Sequence, residues 1–306
     1  MMGEFRFAVV DVFTDQPYRG NPAAVVLDAS GLSDKQMASI AREFNLSETT
    51  FVLPAETPDA AVRFRWFTPG AEVEMCGHAT LAGVHALAES GRLKALLEDR
   101  DAVLPIQTAG GLLSARMERA PGGSDDRLIW LDLTPPRLRP CPLNTGKLAR
   151  LLGIAPDDFE RTLPIVQTQD GDAIVFVRDQ RALQTIRPNF TELAAYQTRQ
   201  RIRGFCLATT RTLAPSVHVQ SRFFCPALGV DEDPVTGSVH GPLAAYLVDN
   251  ELVPSRDGTA AVSCVQSAAT GRAGLVRVLV TARPDGSHTV RIAGQCITTM
   301  RGTLQA

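Results

Sequence analysis

The sequence has neither an excess of charge of one sign nor a long hydrophobic run. Its 306 residues include 31 basic and 33 acidic side chains, for a net charge of −2. Such a balance gives no electrostatic footprint for nucleic acid or for a membrane surface. No apolar segment approaches bilayer-spanning length, and the amino terminus lacks the basic and apolar regions of a signal peptide. We therefore expect a cytoplasmic protein with a small-molecule or protein partner.

Cysteine pairs and the common catalytic motifs are also absent. The six cysteines show no CxxC spacing, so neither a zinc ribbon nor a dithiol redox motif is supported, and we expect most of them to be reduced and buried. The sequence has no GxSxG, GxGxxG or HExxH motif, and Thr145-Gly146-Lys147 is only a fragment of a P-loop. These absences remove the strongest arguments for a serine hydrolase, a Rossmann dehydrogenase, a zinc protease or an NTPase.

The segment EMCGHATLAG, residues 74–83, indicates an active-site turn that leads into a helix of small residues. Small residues on all faces predict a buried helix. A helix that begins at Gly77 leaves its first N–H groups without intrahelical partners, and these donors favour an anion. Cys76 and His78 would lie at this helix terminus.

A similar layout recurs in the second half of the chain. A turn at residues 236–238 opens another small-residue helix, predicted over 239–248. Other echoes follow the same order in both halves, which favours two related lobes. At an offset of 157 residues, Phe67, Pro69, Val73 and Cys76 align without a gap onto Phe224, Pro226, Val230 and Asp233.

The length fits two lobes of about 150 residues each. Each half contains many predicted strands and few helices, which favours an α+β fold with barrel-like lobes over a doubly wound sheet. The Pro-, Gly- and Asp-rich segment 119–126 is the clearest linker signal. We therefore assign residues 1–119 to the first lobe and residues 127–290 to the second.

Candidate site residues lie near the two predicted helix termini and at one strand boundary. Glu48 directly precedes a predicted strand, where a carboxylate is either a solvated loop charge or a rigidly held, accessible group. Asp231, Glu232 and Asp233 are either a solvated acidic loop or part of a site shared between the lobes. Cys76 and His78 are two residues apart with no neighbouring ligand to complete a tetrahedral set, so we expect no catalytic metal.

Five motifs together resemble the PhzF-like family of phenazine biosynthesis proteins, over the whole chain and in a specific order. They are GNPAAV at 20–25, NLSETTF at 45–51, FTP at 67–69, CGHA at 76–79 and DPVTGS at 233–238. The resemblance implies a diaminopimelate epimerase-like fold of two pseudo-symmetric lobes, each a strand barrel around a central helix, with the site between them. It also implies that the carboxy-terminal strand, 294–306, joins the first lobe. We further expect a homodimer.

The resemblance implies proton transfer without metal or cofactor. Glu48 would be the general acid/base, while His78, Asp233 and Ser238 would hold and polarise the substrate. In the related epimerases two opposed cysteines are the bases. Cys76 occupies one of these positions and Asp233 the other, which leaves the role of Cys76 as a second base open. The expected substrate-binding residues are Asn21, Gly77, Gly237 and Ser238.

These features favour a cofactor-independent isomerase or epimerase of a small carboxylate-bearing metabolite. Proton abstraction next to a carboxylate needs a positioned base and donors aimed at the developing charge. A hydro-lyase would use the same abstraction but expel a hydroxyl group. A binding protein or structural dimer with a decayed site is the alternative outside enzymes.

Overall fold

The computed structural model describes residues 3–93, 102–119 and 127–306. Apart from Arg119, the linker predicted at 119–126 lies outside the described residues. The chain divides into two compact units: a first unit of Met1–Asp132 with Ala293–Ala306, and a second unit of Leu133–Ile292.

The first unit is built on a mixed sheet. Its strands are β1 (Glu4–Val12), β2 (Asn21–Val26), β3 (Glu48–Leu53), β4 (Val62–Phe67), β5 (Glu72–Val73), β6 (Leu104–Thr108), β7 (Gly111–Arg119), β8 (Arg127–Leu133) and β18 (Cys296–Gln305). Strands β2 and β3 are parallel, as are β4 and β6, and the other pairs are antiparallel. Strand β18 pairs with β1 from Cys296 to Gln305. The carboxy-terminal strand is thus in the first unit, where we expected it.

The boundary between the units differs from the expected one. The sequence analysis opened the second lobe at residue 127, but the first unit extends to Asp132. Strand β8 pairs antiparallel with β7 from Ala115↔Leu131 to Arg119↔Arg127. A linker-like composition between two strands is equally compatible with a long hairpin connection, so composition alone misplaced this strand.

Two helices belong to the first unit, α1 (Asp34–Phe44) and α2 (Gly77–Glu89). Helix α1 begins with a capping box, in which Ser33 and Gln36 make reciprocal bonds, and Asn45 ends the helix in the left-handed region at φ 49°. Helix α2 contacts β1, β2, β3, β4 and β18. Its residues are buried on almost every face, as the small-residue composition predicted.

Close packing between α2 and the sheet requires Gly83. A Cβ atom at this position would lie 2.7 Å from the Phe64 ring and 3.2 Å from Thr50 Cγ2. We therefore expect Gly83→Ala to lower the free energy of unfolding by about 1–3 kcal/mol in spite of the better helix propensity of alanine. Gly146→Ala is the matched control, because its Cβ would meet only Asn144 Oδ1, at 3.5 Å. Equal effects of the two substitutions in urea unfolding would contradict this account of Gly83.

The second unit combines a mixed sheet with four helices. In its core, apolar residues of the first three helices pack against the sheet, and the last helix contacts β15 and β16. No described helix in either unit is both long enough and apolar enough to cross a membrane. The strands are β9 (Leu138–Pro140), β10 (Val166–Thr168), β11 (Ala173–Phe176), β12 (Phe205–Thr209), β13 (Val219–Cys225), β14 (Val230–Asp233), β15 (Thr259–Ser267), β16 (Ala273–Ala282) and β17 (His288–Gly294), and the helices are α3 (Thr145–Leu152), α4 (Gln180–Thr185), α5 (Phe190–Gln200) and α6 (Gly237–Asp249).

The two units share one sequence of strand pairings. In the first unit β2 is parallel to β3, β3 antiparallel to β4, β4 parallel to β6, and β6 antiparallel to β7. The second unit repeats this order: β11 is parallel to β12, β12 antiparallel to β13, β13 parallel to β15, and β15 antiparallel to β16. A short strand, β5 or β14, folds back on β4 or β13 before α2 or α6 begins. The internal repeat expected from the sequence is therefore present in the topology of this sheet-rich α/β chain, whereas barrel closure stays a prediction.

Candidate active site

Glu48 is the first residue of β3 and pairs with Ala23 on the parallel strand β2. Two residues further along β3, the Thr50 hydroxyl donates a hydrogen bond of 2.8 Å to the carbonyl of Ala79 in the first turn of α2. This bond ties the start of β3 to the start of α2. The Glu48 side chain is 19% exposed, so it is held by the fold but remains accessible.

His78, the second residue of α2, lies between Glu48 and Cys76. Its Nε2 atom is 3.2 Å from Glu48 Oε2, and its Nδ1 atom is 3.5 Å from Cys76 Sγ. The imidazole is 9% exposed. Three of the predicted site residues thus lie together, because one nitrogen of the His78 ring contacts Glu48 and the other contacts Cys76.

Glu48 Oε2 is buried, and among the described residues it has no hydrogen-bond partner. The contact with His78 is close, but it does not have hydrogen-bond geometry. A buried acceptor without a donor costs about 1–3 kcal/mol. Buried groups of this kind point to functional sites or to an unseen partner.

Asn21 is connected to the same group through Ser47. The Ser47 hydroxyl donates a hydrogen bond of 3.4 Å to Asn21 Oδ1. The hydroxyl oxygen, Ser47 Oγ, also lies 3.5 Å from His78 Nε2. Asn21 is fully buried at the start of β2. The sequence analysis did not include Ser47 among the site residues, although its position directly before Glu48 was an available signal.

The amino terminus of α2 supplies backbone donors to the site. Cys76 is the N-cap residue and makes no side-chain capping bond, while the first helical residue, Gly77, is buried. The Cys76 carbonyl accepts bonds from both the backbone N–H and the hydroxyl of Thr80, at 3.0 and 2.6 Å. Because no side chain caps the first turn, its N–H groups and the helix dipole favour a negative charge beside His78.

The other predicted site residues surround the amino terminus of α6 in the second unit. The Thr236 hydroxyl donates to the Asp233 carboxylate, and the Gln266 side chain bonds both the Asp233 carbonyl, at 2.7 Å, and Thr236. Gly237 is the first helical residue and is buried. The turn before α6 is therefore held by Thr236 and Gln266, which the sequence analysis did not single out.

Ser238, the second residue of α6, contacts an arginine that is anchored by a buried acid. Arg203 Nη2 lies 3.3 Å from Ser238 Oγ, and Arg203 Nε donates to Asp172 Oδ1 at 2.8 Å. Asp172 is almost fully buried, and this burial raises the pKa of its carboxyl group while Arg203 opposes the shift. The ion pair fixes a cationic group beside the helix terminus.

The equivalence of Cys76 and Asp233 expected at the 157-residue offset is wrong at the helix termini. Thr236, not Asp233, is the N-cap of α6, as Cys76 is of α2. Helix starts at Gly77 and Gly237 are 160 residues apart, because twelve residues separate Phe224 from Gly237, whereas nine separate the aligned Phe67 from Gly77. In the second unit, Thr236 and Ser238 therefore correspond to Cys76 and His78.

His240 is a buried histidine of the same helix. Its Nδ1 lies 2.7 Å from the Thr236 carbonyl, so this nitrogen carries the proton, and the Ser221 hydroxyl lies 3.1 Å from Nε2. Complete burial lowers the pKa of the imidazole to about 4. The ring is consequently neutral in the folded protein and acts as a packed hydrogen-bonding group.

The lowered pKa of His240 predicts acid sensitivity of the fold. The unfolded chain binds this proton near its ordinary pKa of 6.5, whereas the folded chain binds it only near pH 4. The stabilisation is complete above the unfolded pKa and is lost as the pH falls from 6.5 towards 4. We expect a loss of about 2 kcal/mol between about pH 7.5 and about pH 5. Urea unfolding of wild type and His240→Gln at both pH values checks this, since the variant should lack this component.

Glu48, Cys76 and His78 also meet the geometric requirement for holding a metal ion. One donor atom from each lies within 4.8 Å of the others. In the sequence, Cys76 and His78 have no neighbouring ligand, whereas the fold adds Glu48 from another segment of the chain. The absence of a catalytic metal stays a prediction.

Comparison with known proteins gives full-length matches. The chain is 33% identical to the uncharacterized isomerase YddE of Escherichia coli K12 over 94% of each chain, and 30% identical to an uncharacterized isomerase of Clostridium acetobutylicum over 99% of each. The crystal structure of a PhzF-family phenazine biosynthesis protein from Bacillus anthracis matches with a TM-score of 0.88 and 29% identity, covering 99% of both chains.

A more distant match shows the fold alone. The hydroxyproline epimerase of Agrobacterium vitis, solved with bound trans-4-hydroxy-L-proline, has a TM-score of 0.62 at 15% identity. The match covers 99% of this chain and 92% of the epimerase.

The model of the PhzC-PhzF family, described as phenazine biosynthesis-like protein, matches residues 10–302. With the motifs, the fold and these relatives in agreement, the chain belongs to the PhzC-PhzF family of phenazine biosynthesis-like proteins, whose curated relatives are named isomerases.

Proposed function

We propose that the protein is a cofactor-independent isomerase or epimerase that moves a proton on a small carboxylate-bearing metabolite. The observation that carries the proposal is Glu48: its buried Oε2 lies 3.2 Å from His78 Nε2 and has no hydrogen-bond partner among the described residues. A carboxylate with an unused lone pair, on a side chain that is 19% exposed, is suited to take up a proton. Membership of a family with relatives named isomerases supports this reading.

In the proposed reaction, Glu48 removes a proton from a carbon next to the substrate carboxylate and, in an isomerisation, returns it to another position. Negative charge then develops on the substrate. The first N–H groups of α2, at Gly77 and His78, and the imidazole itself are donors that can stabilise this charge. Because these donors are fixed by the fold, they need little reorganisation during the reaction.

Cys76 is the candidate second base. It contacts His78 through the nitrogen that does not face Glu48. A thiol that can pass its proton to a neighbouring imidazole becomes a thiolate, the form that abstracts protons. The proposal therefore assigns the first proton transfer to Glu48. In that direction Cys76 is the thiol that gives a proton to the second face, and in the reverse direction its thiolate is the base that removes it.

Asp233, Gly237 and Ser238 are proposed to bind the substrate, and so is Asn21. Asp233 and Ser238 are held in place by Thr236 and Arg203. Ordered polar groups of this kind orient a ligand at low entropic cost. Their action on the same substrate as Glu48 stays a prediction, as do the pseudo-symmetric barrel lobes, the homodimer and the cytoplasmic location.

A small carboxylate substrate fits the donors in each unit. In the first unit these are the backbone N–H groups at the uncapped terminus of α2, and in the second unit they are the uncapped terminus of α6 and Arg203. The hydroxyproline epimerase that shares the fold was solved with a small amino acid bound. We propose the same chemical class of substrate for this protein.

Deuterium incorporation tests the proposal. The protein is incubated in D2O with a panel of amino acids and other small carboxylates, and the substrate is followed by NMR. An isomerase or epimerase exchanges a carbon-bound proton and conserves the other atoms, whereas a hydro-lyase forms an unsaturated product with loss of water. A ligand that binds, as shown by calorimetry, but neither exchanges nor reacts would support the binding-protein alternative.

A further inference from the structure

Three side chains with different donor atoms converge at the start of α2. They are the thiol of Cys76, the imidazole of His78 and the carboxylate of Glu48, with one donor atom of each within 4.8 Å of the others. Counted over the whole residue, Cys76 is 8% exposed and His78 is 7% exposed. The site is thus small and largely dry, and the Glu48 side chain, 19% exposed, is its most accessible member.

Sulfur, imidazole nitrogen and carboxylate oxygen are the donors that Zn²⁺ prefers in proteins. Zinc–ligand distances of about 2.0–2.3 Å and tetrahedral angles place bound donors about 3.3–3.7 Å apart. The observed Sγ–Nδ1 and Nε2–Oε2 distances are 3.5 and 3.2 Å. One ion can use only one ring nitrogen, so either Cys76 or Glu48 has to move by about 1 Å to complete the set.

We propose that Glu48, Cys76 and His78 form a binding site for a thiophilic divalent cation, of which Zn²⁺ is the fitting member. The Cys76 thiol releases its proton to solvent and forms a sulfur–zinc bond, without any change of oxidation state. His78 and Glu48 supply the second and third ligands, and water takes the fourth position. Mg²⁺ and Ca²⁺ prefer six or more oxygen ligands and do not fit this set.

Zinc bound here would occupy the groups that proton transfer requires. A metal-bound carboxylate has lost the lone pair that takes up the proton, and a metal-bound thiolate is a weaker base. Zinc is thus expected to act as a reversible inhibitor, and chelation should restore the activity. This consequence rests on the proposed function, whereas zinc binding itself does not.

Binding is measured without reference to activity. Co²⁺, a spectroscopic substitute for Zn²⁺, is added to the metal-free full chain, and the near-ultraviolet absorption of a sulfur–cobalt bond is recorded; Zn²⁺ is then titrated by calorimetry. We expect one ion per chain and displacement of Co²⁺ by Zn²⁺ but not by Mg²⁺. Cys76→Ser should abolish the sulfur–cobalt band, and Glu48→Gln should weaken zinc binding by at least about tenfold.

Matched controls separate this site from other thiols and carboxylates. Cys296→Ser removes the thiol of a half-buried residue, and Glu74→Gln neutralises an exposed carboxylate two residues before Cys76. Both variants should bind zinc as the wild type does. Absence of the band in wild type, or its persistence in Cys76→Ser, overturns the proposal. Zinc binding by a protein that exchanges no substrate proton would uphold the metal site while the proposed function fails.

Discussion

Glu48→Gln is expected to slow proton transfer by about 10²- to 10⁴-fold, the range for loss of a positioned acid/base. Glutamine keeps the shape of the side chain but has no basic carboxylate oxygen. Since Glu48 Oε2 has no hydrogen-bond partner among the described residues, the substitution breaks no bond at this atom. Folding and substrate binding should therefore survive, and the loss should lie in the rate of deuterium incorporation rather than in affinity.

Glu74→Gln is the matched control for this substitution. Glu74 is exposed and also precedes α2, so its neutralisation changes the net charge by the same amount near the same helix. We expect its exchange rate to remain within about twofold of wild type, since exposed charges interact weakly through water. Equal losses in the two variants would indicate a general electrostatic effect and would contradict the assignment of Glu48.

The second large effect is expected for Glu232→Gln, on stability. Arg222 and Glu232 form a buried pair, both side chains 7% exposed, with hydrogen bonds of 2.7 and 3.0 Å. Arg222 also donates to the carbonyls of Leu183 and Ile186 at the end of α4. Removal of one partner leaves a buried charge uncompensated, which costs about 3–5 kcal/mol. Urea unfolding at neutral pH measures the loss.

Asp157→Asn provides the comparison for the buried pair. Asp157 pairs with Arg161, but the two side chains are 78% and 74% exposed. Exposed pairs contribute about 0–1 kcal/mol, so this substitution should have little effect on the unfolding midpoint. A loss for Glu232→Gln no larger than that for Asp157→Asn would show that the buried pair does not stabilise the second unit.

Local sequence patterns predicted those parts of the fold that depend on neighbouring residues. The two predicted small-residue helices are present in the structure, and the Ser33–Gln36 capping box and the Asp170–Asp172 turn between β10 and β11 also follow local patterns. Each depends on side chains within a few positions of one another. The helices are buried because their small residues allow close approach to strands, as at Gly83.

Features that depend on long-range pairing were predicted less well. The helical turn α4 and the short strand β5 were missed, because each is too short to show a period. Strand β8 was assigned to the second lobe, although it pairs with β7. The ungapped alignment of the two halves was wrong by three residues at the helix starts, because such an alignment cannot account for a longer turn in one half.

The candidate site shows the same limit. In the sequence, the only local sign of a function for Glu48 was its position directly before a predicted strand. Its role as acid/base came from the family resemblance. Its contact with His78, 30 residues later, comes from the parallel pairing of β2 with β3 and the bond from Thr50 to Ala79. Glu232, one of three consecutive acids, turned out to be a buried partner of Arg222. Burial of this kind depends on distant segments that local composition does not reveal.

The most direct test of Glu48 as the proton-transferring residue compares wild type, Glu48→Gln and Cys76→Ala in one experiment. Each protein is incubated in D2O with a substrate from the panel, and NMR follows deuterium at the exchanging carbon while calorimetry confirms binding. The account predicts that Glu48→Gln binds but exchanges about 10²- to 10⁴-fold more slowly, and that Cys76→Ala retains exchange at the position served by Glu48. Wild-type exchange by Glu48→Gln together with an inactive Cys76→Ala would contradict it and assign the chemistry to the thiol.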